Sequence, residues 1–145
     1  MNIEYENDFY GWTQQQVKFL RNKEINLLDW ANIAEEIEAM GKSEKRELES
    51  RLEVLIMHLL KWQYQPNLRS RSWQLTIKEE RLRLEKLLKE NPSFKAILED
   101  TKEKIYPLAV ISAEKETGLS YFPESCPYLL INILSRDFLP DSNIN

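Results

Sequence analysis

His58 is the only histidine in the chain, and Arg51 stands seven residues before it. At about 100° per residue the two project from one shoulder of a helix, roughly 80° from the centre of its apolar stripe. An imidazole that moves a proton beside a guanidinium that steadies a phosphate would suffice for metal-independent ribonuclease chemistry. The blander reading is a partly buried histidine satisfied by a neighbour, with Arg51 in solvent. The second oddity is Glu80, which projects between Trp73, Ile77, Leu84 and Leu87, in the middle of an apolar helix face. A lone buried carboxylate is costly, so Glu80 should be paired, protonated or reached by water. His58, Arg51, Arg69 and Arg71 are the candidate partners.

Positive charge concentrates around Trp73, in Arg69, Arg71, Lys78, Arg81 and Arg83, where an anionic partner could dock. Glu79, Glu80 and Glu85 dilute the patch, and a salt-bridged helix surface is the commoner outcome of such a pattern. The residues expected to bind are Lys61, Arg69, Arg71, Trp73 and Glu80, set around a groove between the third and fourth predicted helices. Thr101, Ser112 and Glu116 fall on the apolar stripe of the next helix and read either as the lining of a polar pocket or, the favoured reading, as a hydrogen-bonded core network that fixes helix register. Glu35, Glu36 and Glu38 suggest a metal site only until a second acidic motif is sought and not found, so they read as a solvated face and no metal is expected. No glycine-rich phosphate loop or nucleophile elbow is present, and no cofactor is implied.

Such residues need helices to hold them, and the chain is rich in helix signals. Thr13 and Gln16 form a capping box, with Trp12 and Val17 as the staple, and predict a first helix from Thr13 to about Lys23. Asp29 repeats the device before the stripe Trp30, Ile33, Ala34, Ile37, Met40, with Gly41 as the stop. Ser43 would cap a third helix striped by Leu48, Leu52, Leu55, Leu59 and Trp62, and so short a connection favours antiparallel packing of the two. A fourth helix starts near Ser70 or Ser72 and turns Trp73, Ile77, Leu84, Leu87 and Leu88 inward. A fifth opens at Asn91 and Pro92, buries Phe94, Ile97, Leu98, Ile105, Leu108 and Ala109, kinks at Pro107 and ends at Gly118. Tyr128 to Leu134 forms a short last helix, and residues 141–145 fray.

The 145 residues carry 42% apolar and 30% charged side chains with three glycines, a composition for helices with one core. The expectation is an all-α compact bundle of about five main helices plus a short C-terminal one, in a single domain over residues 1–140. A net charge of −4 marks no global footprint for nucleic acid or anionic lipid. The lone Cys126, the polar acidic start and the lack of a span of roughly 20 apolar residues point to a cytoplasmic protein without membrane attachment.

The run His58, Leu59, Leu60, Lys61, Trp62, followed by Gln63, Tyr64, Gln65, Pro66 and then Arg71, Ser72, Trp73, Thr76, Ile77, resembles the hallmark of a bacterial family common in cyanobacteria, the domain of unknown function twenty-nine. Agreement extends to Asp8, Trp12, Asp29, Trp30, the Glu35 to Glu38 run, Pro92, Ser93, Glu116 to Leu119, Pro123 and Pro127. The resemblance implies a small all-helical bundle and no catalytic residue. Separately, Arg51 and His58 resemble the loose arginine-to-histidine motif of HEPN-type nucleases, although Leu52 replaces the polar residue expected after the arginine. The sequence therefore leans away from an enzyme. It points to a binding or assembly module with a macromolecular partner, protein favoured over nucleic acid, with homo-oligomers allowed; the HEPN-like ribonuclease is the alternative.

Overall fold

A computed structural model describes residues 3–141; of the tail expected to fray, 142–145 lie outside the described residues. Five α-helices and no strand occur among the described residues: α1 Phe9–Arg21, α2 Trp30–Tyr64, α3 Arg71–Glu90, α4 Leu98–Thr117 and α5 Leu130–Ile133. The all-α class is as expected. The count of main helices drops by one because the predicted second and third helices are a single α2 of 35 residues, so they do not pack against each other. Gly41 does not stop the helix. A glycine ends a helix by adopting the left-handed conformation, and Gly118 and Lys23 are the only positive-φ residues described. In mid-helix Gly41 only weakens, and the Glu, Ala, Met, Lys and Arg around it are good helix formers. None of the helices among the described residues is long and apolar enough to cross a membrane.

The described residues fall into two compact units, Met1–Glu44 and Lys45–Asn145. In the first, α1 begins four residues before the predicted capping box. The Asp8 carboxylate accepts the Gly11 amide at 2.9 Å and caps the helix. A Cβ at residue 11 would sit 2.4 Å from Asp8 Oδ2, so any other residue there would push the capping carboxylate aside. Thr13 turns its hydroxyl back to the Tyr10 carbonyl instead of capping. The helix ends with paired bonds from Glu24 N to Phe19 O and from Lys23 N to Leu20 O, and they force Lys23 to φ 57°. Asp29 then caps α2 as expected, accepting from the Asn32 amide. It also accepts the Trp12 indole N–H at 2.9 Å, while its own amide donates to Gln16 Oε1 at 2.8 Å. Tyr5 donates its hydroxyl to Glu36. Only Trp12, Gln16 and Leu28 are buried among the described residues of this unit.

The second unit holds the core. Leu48, Leu52, Leu55 and Leu59 of α2 are fully buried, and they cluster with Ile77, Leu84, Leu87 and Leu88 of α3 and with Leu98, Ile105 and Ala109 of α4. Ser70 caps α3 by accepting the Trp73 amide, one of the two starts expected. Arg51 reaches Glu80 and Lys61 lies over Trp73, so α3 runs antiparallel to this part of α2. Glu53 accepts from Ser112 and Lys61 meets Glu116, so α4 runs parallel to it. Residues Pro92–Ile97, expected to open α4, form a 3₁₀ segment before it. Leu108, expected inside, is 53% exposed. The α4 helix continues through Pro107 and ends at Gly118, φ 74°. The last helix shortens to Leu130–Ile133.

Candidate functional site

The site is built on the face of α2 from Arg51 to Lys61 and on the first turns of α3. Glu80 is buried, as its place in the α3 stripe demands, and its partner is Arg51, with Nη1 to the two carboxylate oxygens at 3.1 and 3.4 Å. Burial pushes the Glu80 carboxyl above its ordinary pKa, against the pull of the Arg51 charge and hydrogen bond. Arg51 also lies 3.7 Å from Glu47, so its guanidinium is shared between two carboxylates.

His58 has a different set of neighbours. Its Nδ1 lies 2.9 Å from the Val54 carbonyl one turn earlier. With Nδ1–H donated to that oxygen, Nε2 keeps the lone pair. Burial lowers the His58 pKa and the Lys61 charge adds to the effect, while the Val54 bond and Glu116 oppose it. Lys61 itself is buried, paired with Glu116 of α4, with its ammonium 4.6 Å from the centre of the Trp73 ring. It is a clamp that joins the C-terminal end of α2 to the start of α3 and the end of α4. A cation held between a carboxylate and an aromatic face is satisfied twice.

Arg69 stacks on Trp62 at 4.8 Å and donates Nε to the Trp62 carbonyl at 2.7 Å. Its Nη2 is buried without a hydrogen-bond partner among the described residues. Lys61, Arg69, Trp73 and Glu80 all make contacts where α2 meets α3 and the segment before it. Arg71 alone of the five is exposed, at the first position of α3. The structure joins Arg51 to Glu80 and gathers His58, Lys61, Glu116 and Trp73 into one cluster, while the partners of Arg51 and those of His58 differ.

Two buried cations escaped the sequence reading. Arg81 is 4% exposed and donates to the carbonyls of Ile133, Asn132 and Arg136, which ties the end of α5 to α3. Lys102, also 4% exposed, donates to the Tyr128 carbonyl and pairs with Glu99 at 2.8 Å. Both stand on apolar stripes, Arg81 between Ile77 and Leu84 and Lys102 between Leu98 and Ile105. That signal marks a snorkelling or carbonyl-bound cation, and it removes Arg81 from the surface patch. Arg83 is paired with Glu79. Of the polar residues on the α4 stripe, Thr101 bonds its own helix at Ile97, whereas Ser112 and Glu116 reach α2.

What remains open on α3 is its outer face. Arg71, Leu75, Lys78 and Leu82 line a groove of about 450 Å³ closed on the other side by Arg136, Asp137 and Leu139. No group of three or more potential metal ligands occurs among the described residues. These features define a small all-helical protein whose buried charges serve packing and whose accessible polar and apolar groups lie along helix faces. The chain belongs to the family described as Domain of unknown function DUF29, whose model matches residues 4–139. No curated protein matches the chain, and no solved structure does.

Proposed function

We propose that this chain is a non-catalytic binding module that engages a protein partner through the outer face of α3. The observation that carries the reading is the pairing of exposed Leu75 and Leu82, 47% and 44% accessible and two turns apart, with Arg71 and Lys78 beside them. Leucines at i and i+7 offer anchors to an amphipathic helix, and the two cations favour an acidic one. No ion pair of the described residues holds Arg71 or Lys78, unlike Arg83, Lys86 and Arg136 on the same helix face and its rim.

The test starts from a photo-cross-linking side chain placed at Leu75 in the full chain in its native cells, followed by titration calorimetry with the purified partner. Leu75→Glu with Leu82→Glu should weaken binding at least about tenfold, the scale of one lost anchor. Leu108→Glu, on an exposed position of α4, should leave it unchanged. Equal affinities for all three proteins would remove the reading.

A metal-independent nuclease at Arg51 and His58 is the second reading, favoured by the neutral His58 with its Nε2 lone pair. Against it, Arg51 is already occupied by Glu80 and Glu47. Intact single-stranded RNA after incubation without metal, between about pH 5 and 8 around the histidine pKa, ends that reading.

A further inference from the structure

The amino-terminal segment, α1 and the start of α2 leave a cavity of about 540 Å³ between them. All its lining residues, from Ile3 to Asn32, lie within the Met1–Glu44 unit, and the volume is that of an ordinary ligand pocket. Gln16 lines it and is only 6% exposed. Its Oε1 accepts the Asp29 amide at 2.8 Å, which fixes the two ends of the carboxamide. The Nε2 end has no hydrogen-bond partner among the described residues. A donor on so buried a side chain is poorly hydrated, and an acceptor brought by a ligand completes it.

Charge in the cavity is of one sign. Glu4, Glu6 and Asp29 line it, no lysine or arginine does, and none of the three is in an ion pair among the described residues. The Asn32 side chain holds Asp29 below the usual carboxylate range and the Trp12 indole adds to the effect, so Asp29 is charged at neutral pH. No group of three or more potential metal ligands occurs among the described residues, so these carboxylates do not converge on a metal ion. Ile3 and Leu27 add apolar wall. An organic cation with an aliphatic stem and an acceptor beside it meets all three features, and a basic amino-acid residue is such a group. A free α-carboxylate would be repelled by the same acids, which favours a residue within a peptide.

We infer that this cavity binds a basic residue of a peptide, an arginine or lysine whose charged head meets Glu4, Glu6 and Asp29 and whose adjoining carbonyl accepts from Gln16 Nε2. The site shares no lining residue with the groove on α3, so either reading can fail without the other.

Titration of the isotope-labelled full chain with Nα-acetylarginine amide tests it, followed by NMR at the Gln16 side-chain amide and at the Trp12 indole N–H that donates to Asp29. Both signals should shift along one saturable curve. Glu4→Gln with Glu6→Gln, at two exposed positions, should weaken binding about fivefold, the scale of two surface charge contacts. Glu90→Gln with Glu124→Gln, exposed acids of the other unit, should leave it unchanged. Free arginine, which carries its own carboxylate, and butylguanidinium, which lacks the carbonyl, should each bind at least about threefold more weakly than the blocked form. Gln16→Glu keeps an acceptor for the Asp29 amide and removes the donor, so it should erase the preference over butylguanidinium. Should that variant fail to fold, seen as loss of the folded Trp12 indole signal, the Glu4, Glu6 and free-arginine arms decide alone. Unshifted Gln16 and Trp12 signals at millimolar ligand, equal weakening by the two pairs of substitutions, or equal affinity for the three ligands overturns the proposal.

Discussion

The two ends of α2 carry apolar stripes of the same quality with opposite fates. Leu48, Leu52, Leu55 and Leu59 are each 0% exposed, while Trp30, Ile37 and Met40 stand more than 60% in solvent. Both stripes satisfy helical spacing, and both are flanked by Glu, Lys and Arg. The difference is that α3, α4 and the segment around Tyr128 supply a surface for the second stripe within the Lys45–Asn145 unit. In the Met1–Glu44 unit, α1 turns Trp12 and Gln16 inward and leaves Val17 and Leu20 outward. A stripe says that a helix face is to be covered; what covers it is a property of the rest of the chain or of another chain.

The contrast breaks most visibly at single side chains. Leu55→Ala should cost about 3 kcal/mol by the range for buried leucines, measured by chemical denaturation. Ile37→Ala on the same helix should stay within about 0.5 kcal/mol when measured on the monomer. A cost of Leu55 size at Ile37 would mean that the exposed stripe is covered in the monomer.

The next effect concerns the buried ion pair. Arg51→Met leaves Glu80 charged and buried, and should cost about 2 kcal/mol near neutral pH, below the full range for a buried pair because Arg51 is partly exposed. The Glu80 pKa is raised in the folded state, so the folded protein binds the proton more tightly than the unfolded one, and its stabilising contribution is full below the ordinary glutamate pKa and fades as pH rises through the folded value. Removing the Arg51 charge raises that pKa further. The Arg51→Met penalty should therefore shrink on going from neutral pH toward pH about 5, nearer the glutamate range, and Glu80→Gln should abolish that pH dependence.

A smaller effect compares how helices end in the two units. Gly118→Ala should lose about 1 kcal/mol because φ 74° is strained for any side chain with a Cβ. Lys23→Gly, which relieves φ 57°, should gain roughly 0.5 kcal/mol. Thermal unfolding reads both.

The smallest effect is a titration. His58, followed by NMR, should titrate below the usual imidazole value, with Lys61→Met moving it up and Glu116→Gln moving it down. The folded pKa is depressed, so the stability tied to this group is present above the ordinary histidine pKa and is lost as pH falls through the folded value. A His58 insensitive to both substitutions would separate it from the Lys61 cluster.

Much of this was legible in the residues. The burial of Glu80 and the need for a cationic partner follow from one carboxylate on an apolar stripe, and Arg51 was among the named candidates. The Ser70 start of α3, the Asp29 cap of α2 and the Gly118 stop follow from short-range hydrogen bonding. The start of α1 departs from the Thr13 expectation because Asp8 accepts the Gly11 amide one turn earlier and Thr13 bonds back to the Tyr10 carbonyl. Gly41 was misread because a mid-helix glycine and a terminal one look alike in one dimension.

Local chemistry, which acts over one or two turns, thus determined the helical class, most helix starts and stops and the leucine stripe of the core. Tertiary structure decided which stripe is covered, which arginine reaches Glu80, and that Lys61, Arg69 and Arg81 are spent on packing, while Arg71 and Lys78 face outward. The reason is range: a helix period fixes which side chains share a face, but only the packing of distant helices sets what that face meets.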